Sequence, residues 1–197
     1  MAKSSTRVRR SDSGGSRTVY LIVGAVIVLF VGGFIALAVV DARQQSGSAA
    51  PNDVKTYDVG PAGQHTSGDV DYEQSPPVGG EHNPVWQNCG YYDKPVRDEN
   101  AVHSLEHGAV WITYSPDLPQ DQITDLKNIA EDRSYILVSP YPDLSSDTPV
   151  VASAWGKQEG LDGADDPDLE SFIQAYRQGP QTPEPGAVCT GGTSATQ

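Results

Sequence analysis

The longest uninterrupted apolar stretch of this chain, Val19 to Val40 (VYLIVGAVIVLFVGGFIALAVV), has no charge and, Tyr20 aside, no side chain that needs a hydrogen-bond partner. As a helix its 22 residues rise about 33 Å, enough to cross a hydrocarbon core of about 30 Å. The stretch therefore predicts a transmembrane helix. A cleaved signal peptide fits less well, because its apolar core runs only about 7 to 15 residues behind a short basic start. Here 18 residues come first, and the one candidate cleavage site, Ala36-Leu37-Ala38, lies inside the apolar run.

Beyond Val40 the pattern breaks into shorter periods. Residues 41–55 (DARQQSGSAAPNDVK) lack apolar periodicity and read as a linker. A globular domain is expected over 56–180, followed by a C-terminal tail at 181–197. Up to Asp98 the domain is dense in Gly and Pro, which predicts an ordered loop layer rather than regular elements. Gly108 to Tyr114 is β-branched and aromatic and reads as a strand stopped at Ser115-Pro116. Ile123, Leu126, Ile129 and Ala130 then recur at helical spacing behind Pro119, with Asp121 and Asp125 at the positive end of the helix dipole. Tyr135 to Val138 and Pro149 to Trp155 are further strands, the latter closed by Gly156. A last helix over about 166–177 carries Leu169, Phe172, Ile173 and Tyr176 on one face and stops at Gly179-Pro180. The order β-α-β-β-α implies an α+β fold, a two-layer sandwich with an antiparallel hairpin and both helices on one sheet face. Trp111 alternates with Val110 and Ile112, so one side of its strand must meet a second layer or the preceding loops.

Charge sets the orientation. Lys3, Arg7, Arg9, Arg10 and Arg17 lie ahead of the apolar run against a single Asp12, whereas only Asp41 and Arg43 follow it closely. Cytoplasmic flanks carry the excess of Lys and Arg, so residues 1–18 are expected inside as a basic disordered tail and the domain outside. From Asp41 onward 25 acidic residues face 8 basic ones, leaving this part at -17. That balance excludes nucleic acid as a partner. It suits cations, a basic envelope partner, or plain solubility.

Two chemistries are available. In an oxidising compartment Cys89 and Cys189 predict a disulfide closing a loop of about 100 residues; the alternative is Cys89 as a metal thiolate beside His82. All four histidines, His65, His82, His103 and His107, fall within 43 residues, and none occurs in the 90 that follow. His103 and His107, at i and i+4 in VHSLEHG, share a face if the segment is helical. With His82 and His65 from the loops they make a candidate ligand set for copper or zinc. The competing reading is that they hydrogen-bond backbone carbonyls around the start of the strand. H-S-L-E-H also matches H-x-x-E-H, the inverted zinc-peptidase pattern with Glu106 as general base, but Gly108 leaves little room for the long helix that such sites use. No C-x-x-C, G-x-S-x-G or phosphate-binding loop is present, and with Met1 as the lone methionine a copper site would rest on imidazole.

Several segments together resemble a family: Pro76-Pro77-x-Gly79-Gly80-x-His82-x-Pro84-x-Trp86, Gly90-x-Tyr92, Pro95-Val96, VHSLEHG at 102–108, Tyr114-x-Pro116 and Ala154-Trp155-Gly156. They are similar to a bacterial, largely actinobacterial, membrane-anchored domain of unknown function, over roughly His65 to Tyr176. The resemblance implies an N-terminal anchor and one extracytoplasmic domain, with no substrate or cofactor attached. Where that family often shows Trp before Gly-x-Tyr, this chain has Cys89, which together with Cys189 favours a disulfide over a shared thiolate ligand. The leading expectation is thus a membrane-anchored extracytoplasmic domain binding a transition metal, and not an enzyme. The alternatives are a non-catalytic interaction module of an envelope assembly and a small metal-dependent hydrolase using Glu106.

Overall fold

The computed structural model describes residues 53–197 together with Ala50, Pro51 and three helical residues, Tyr20, Leu21 and Val23. The expected tail at 1–18, nearly all of the expected span at 19–40 and most of the linker lie outside the described residues. Among the described residues no helix is long and apolar enough to cross a membrane. The folded unit runs from Ser48 to Gln197.

Nine elements make up this unit: β1 (Lys55–Thr56), β2 (Gly90–Tyr91), α1 (Asp98–Glu106), β3 (Val110–Tyr114), α2 (Gln120–Asp132), β4 (Ile136–Pro140), β5 (Val150–Ala154), β6 (Lys157–Leu161) and α3 (Pro167–Tyr176). The strands form one mixed sheet in the order β1-β6-β5-β3-β4-β2. β3 and β4 are parallel, with Val110 opposite Ile136 and Trp111 opposite Leu137, as the crossover through α2 requires. β5 is antiparallel to β3 on the other side, so β3 separates β4 from β5. The antiparallel hairpin is β5–β6, which reverses at Trp155-Gly156, where Gly156 has φ +65°.

The sheet has two covered faces. On one, Leu126 and Ala130 of α2 and Leu169, Phe172 and Ile173 of α3 pack onto Val110, Ile112, Ile136, Val138, Val150 and Ala152. The helical spacing that predicted those two helices is therefore the spacing of their buried stripe. On the opposite face Trp111 and Leu137 meet Ala101, Val102 and Leu105 of α1, with Trp155 and Val96. Trp111 donates its indole N–H to Ser139 Oγ at 3.0 Å.

The expected two-layer sandwich is thus a mixed α+β fold whose sheet lies between a helix pair and a layer built of α1 and loops. Four elements are added to the expected order: the two-residue strands β1 and β2, which fall in the expected loop layer, and α1 and β6. α1 precedes β3, and β6 follows β5. The sequence of β6, KQEGL, carries charge and a glycine where strands usually carry β-branched residues, but Glu159 and Leu161 both turn inward.

Candidate functional site: a buried histidine and carboxylate cluster

The site is organised by α1. Its first turn carries Asp98 and Glu99, and its other end closes at His107. There Gly108 N–H reaches Leu105 O at 2.9 Å and Ala109 N–H reaches Ser104 O at 2.9 Å, the paired bonds of a Schellman turn. Gly108 adopts φ +93°, and a Cβ on it would collide with the Gln178 and Thr182 side chains. From Glu99 to Glu106 every residue of α1 is buried, polar ones included. Each of these buried polar residues needs a partner, and the loops supply them. Glu99 accepts from Val70 N–H and pairs with Arg97, and Ser104 Oγ donates to Gln87 O. The Gly/Pro-rich segment is ordered because it satisfies the polar side of this helix.

His65 and His82 come from two loop strands that form an isolated bridge, with Thr66 N–H bonded to His82 O and His82 N–H to Gln64 O. His103 and Glu106 come from the last turn of α1. Ligand atoms of His65, His82, His103 and Glu106 all lie within 4.8 Å of one another. His82 and Glu106 are fully buried, whereas the His65 side chain is 42% exposed and opens the cluster to solvent.

Ring protonation follows from the partners. A carbonyl oxygen only accepts, so each Nδ1 that meets one must carry a proton. His82 Nδ1 donates to Gly80 O at 2.8 Å, His103 Nδ1 to Asn83 O at 2.6 Å, and His107 Nδ1 to Val188 O at 2.7 Å. In the neutral ring each Nε2 is then a bare lone pair. His82 Nε2 lies 2.9 Å from Glu106 Oε2, yet neither atom makes a hydrogen bond. His103 Nε2 lies 3.0 Å from His107 Nε2, within hydrogen-bonding distance. The other carboxylate oxygen, Glu106 Oε1, is held by Gly63 N–H at 2.6 Å. Burial pushes the His103 pKa down to about 4, against its bond to Asn83; the adjacent His107 and His82 rings add to the lowering and Glu106 opposes it. A neutral imidazole is the form that donates to a metal.

Of the four histidines singled out by the sequence, His65, His82 and His103 are brought into one group. His107 lies just outside it, against His103 and 3.5 Å from Glu184 Oε2. The group's fourth member is Glu106, a general base in the sequence reading; its i+3 spacing from His103 on a helix is the signal for a ligand. Cys89 and Cys189 are joined in a disulfide with Cα atoms 5.4 Å apart, so Cys89 is no thiolate ligand. That bond points to a non-cytoplasmic domain. Trp86 flanks His103 and His107 at ring distances of 5.7 and 5.1 Å, and Trp155 meets His82 edge-on at 5.9 Å.

Fold and site together define a class: a disulfide-bonded mixed α+β domain with a buried His/Glu cluster between one helix and its loop layer. The family model described as "Protein of unknown function (DUF3105)" matches residues 64–191, a segment that holds all four histidines, Glu106 and both cysteines, and the chain belongs to that family. No curated protein and no solved structure matches it.

Proposed function

We propose that this protein is a membrane-tethered, extracytoplasmic domain that binds a divalent transition metal through His65, His82, His103 and Glu106. The observation that carries the reading is the convergence of His65, His82 and His103 on the buried Glu106 carboxylate, with the Nδ1–H of His82 and of His103 bonded to a backbone carbonyl. Metal-bound histidines characteristically donate their other ring N–H in this way, which fixes the tautomer and aims the ring. With metal–nitrogen bonds of about 2.0 to 2.1 Å, neighbouring donors on one ion lie about 3 Å apart, which agrees with the 2.9 Å between His82 and Glu106. A set of three imidazoles and one carboxylate, with no thiolate or thioether, suits Cu(II) or Zn(II). Magnesium and calcium prefer oxygen donors throughout. The apolar run at 19–40 and the basic residues ahead of it support the tether and its orientation.

The test is calorimetric. The full-length chain in detergent, stripped by chelator, is titrated with Cu(II) and with Zn(II). Binding tighter than about 10 µM is expected, Cu(II) exceeding Zn(II) as the usual affinity order dictates. His103→Ala and Glu106→Gln should each weaken it at least tenfold, about 1.4 kcal/mol. Binding that is weaker than this limit, or indifferent to both substitutions, contradicts the proposal. Glu106→Gln also separates ligand from general base: a base could be replaced with metal affinity intact and only turnover lost.

A further inference from the structure

The segment that follows α3 forms a strap without helix or regular strand, yet it runs along the loop layer and touches the cluster from outside. Its attachments are the disulfide, a Cys89 N–H to Cys189 O bond, a bridge between Gln87 and Thr193, and a bond from Gln87 Nε2 to Ala195 O. Three of its contacts reach the site. Glu184 N–H bonds the carbonyl of Glu106 at 3.1 Å, Val188 O accepts the Nδ1 proton of His107, and Glu184 Oε2 lies 3.5 Å from His107 Nε2. Val188 is the residue before Cys189, so the cross-link anchors the peptide whose carbonyl orients the His107 ring.

The other histidines do not depend on the strap. His82 and His103 are aimed by the carbonyls of Gly80 and Asn83, which lie in the first loop layer. Only His107 is aimed from the C-terminal side. Its Nε2 lies 3.0 Å from that of His103, the separation expected of two nitrogens on one ion.

We infer that the disulfide-held strap is a positioning element that presents His107 as an additional nitrogen donor to the metal bound by His103. Val188 O accepts from Nδ1, Glu184 flanks Nε2, and Cys89–Cys189 keeps both at hand. This rests on the metal-binding reading above, and it assigns the C-terminal residues a share in affinity rather than in folding alone.

The test is a thermodynamic cycle on the full-length chain with Cu(II) as the probe, read by affinity and by the number of imidazole nitrogens coupled to copper in its electron paramagnetic resonance. His107→Ala should lower affinity about tenfold or more and remove one coupled nitrogen. Cys89→Ser with Cys189→Ser should do the same, a loss typical of removing the partner behind a metal-bound histidine. Combined with His107→Ala, the cysteine changes should add nothing further, because both act on one interaction. Val188→Gly keeps the cross-link, removes a side chain that is 55% exposed, and loosens the same carbonyl. It should reproduce part of the loss, again only when His107 is present, and it serves where the serine variant does not fold.

Two results overturn the inference: an unchanged spectrum and affinity in His107→Ala, or a cysteine or Val188 effect that persists without His107. If the wild-type chain binds no Cu(II), the metal reading itself fails. Binding that is lost in His103→Ala but indifferent to His107→Ala removes the strap's role alone.

Discussion

Three of the four histidines in this chain have one ring nitrogen against a backbone carbonyl, and that contact decides what the other nitrogen can do. The ring types and their clustering were legible in the sequence. The carbonyls were not, because Gly80, Asn83 and Val188 offer the same main-chain oxygen as any residue and are chosen by loop conformation alone. Of the two sequence readings, the carbonyl bonds are present at His82, His103 and His107, and they are compatible with the proposed ligand role because they occupy Nδ1 and not Nε2. A half-buried acid outside the cluster gives a pH prediction. Asp98, at the start of α1, has its pKa raised to about 6 by burial, with Glu99 and Asp143 adding to the rise and the Tyr141 hydroxyl, 3.1 Å away, opposing it. The folded state then holds this proton more tightly than the unfolded chain. The stabilisation from Asp98 is complete below pH 3.8 and is lost as pH rises through 6. In urea unfolding, Asp98→Asn should gain on the wild type between pH 4 and pH 7; parallel curves across that range would show that this carboxyl is not the source.

At the level of elements, α2 and α3 were visible because each has one apolar stripe against the sheet. α1 was not, because its two sides are both buried. Its polar side, with Glu99, Asn100, His103, Ser104 and Glu106, is buried against loops, and over nine residues only Ala101, Val102 and Leu105 mark the apolar side. Its ends nevertheless carried signals, Asp98-Glu99 in the first turn and Gly108 just past the last. That glycine links fold to site, since the turn it permits leaves Glu106 facing inward and starts β3 with three residues between it and α1. Gly108→Ala forces a side chain into the left-handed region and against Gln178 and Thr182. It should cost about 2 kcal/mol or more, seen as a lowered unfolding midpoint, and metal affinity should fall with it. A change within about 0.5 kcal/mol would mean that the turn relaxes freely and does not hold α1 in register.

For the whole molecule, the disulfide points to a non-cytoplasmic domain, and the proposed tether adds the expectation of a basic tail inside. In intact cells stripped of their outer layers, external protease should remove the domain while sparing an epitope placed before Arg7, and the protein should sediment with membranes. Protection of the domain, or release by high salt, would contradict the tether. The disulfide also closes a loop over a sequence separation of 100 residues, tying the last residues back to the loop layer beside the site. Sequence spacing could suggest that pairing but not that the strap would lie against His107. Anomalous diffraction at the Cu or Zn edge, from crystals of the metal-loaded protein, decides whether the buried cluster is a metal centre. One peak is expected, about 2.0 to 2.2 Å from His82 Nε2, His103 Nε2 and Glu106 Oε2. A peak confined to surface carboxylates, with none between these three residues, would contradict it.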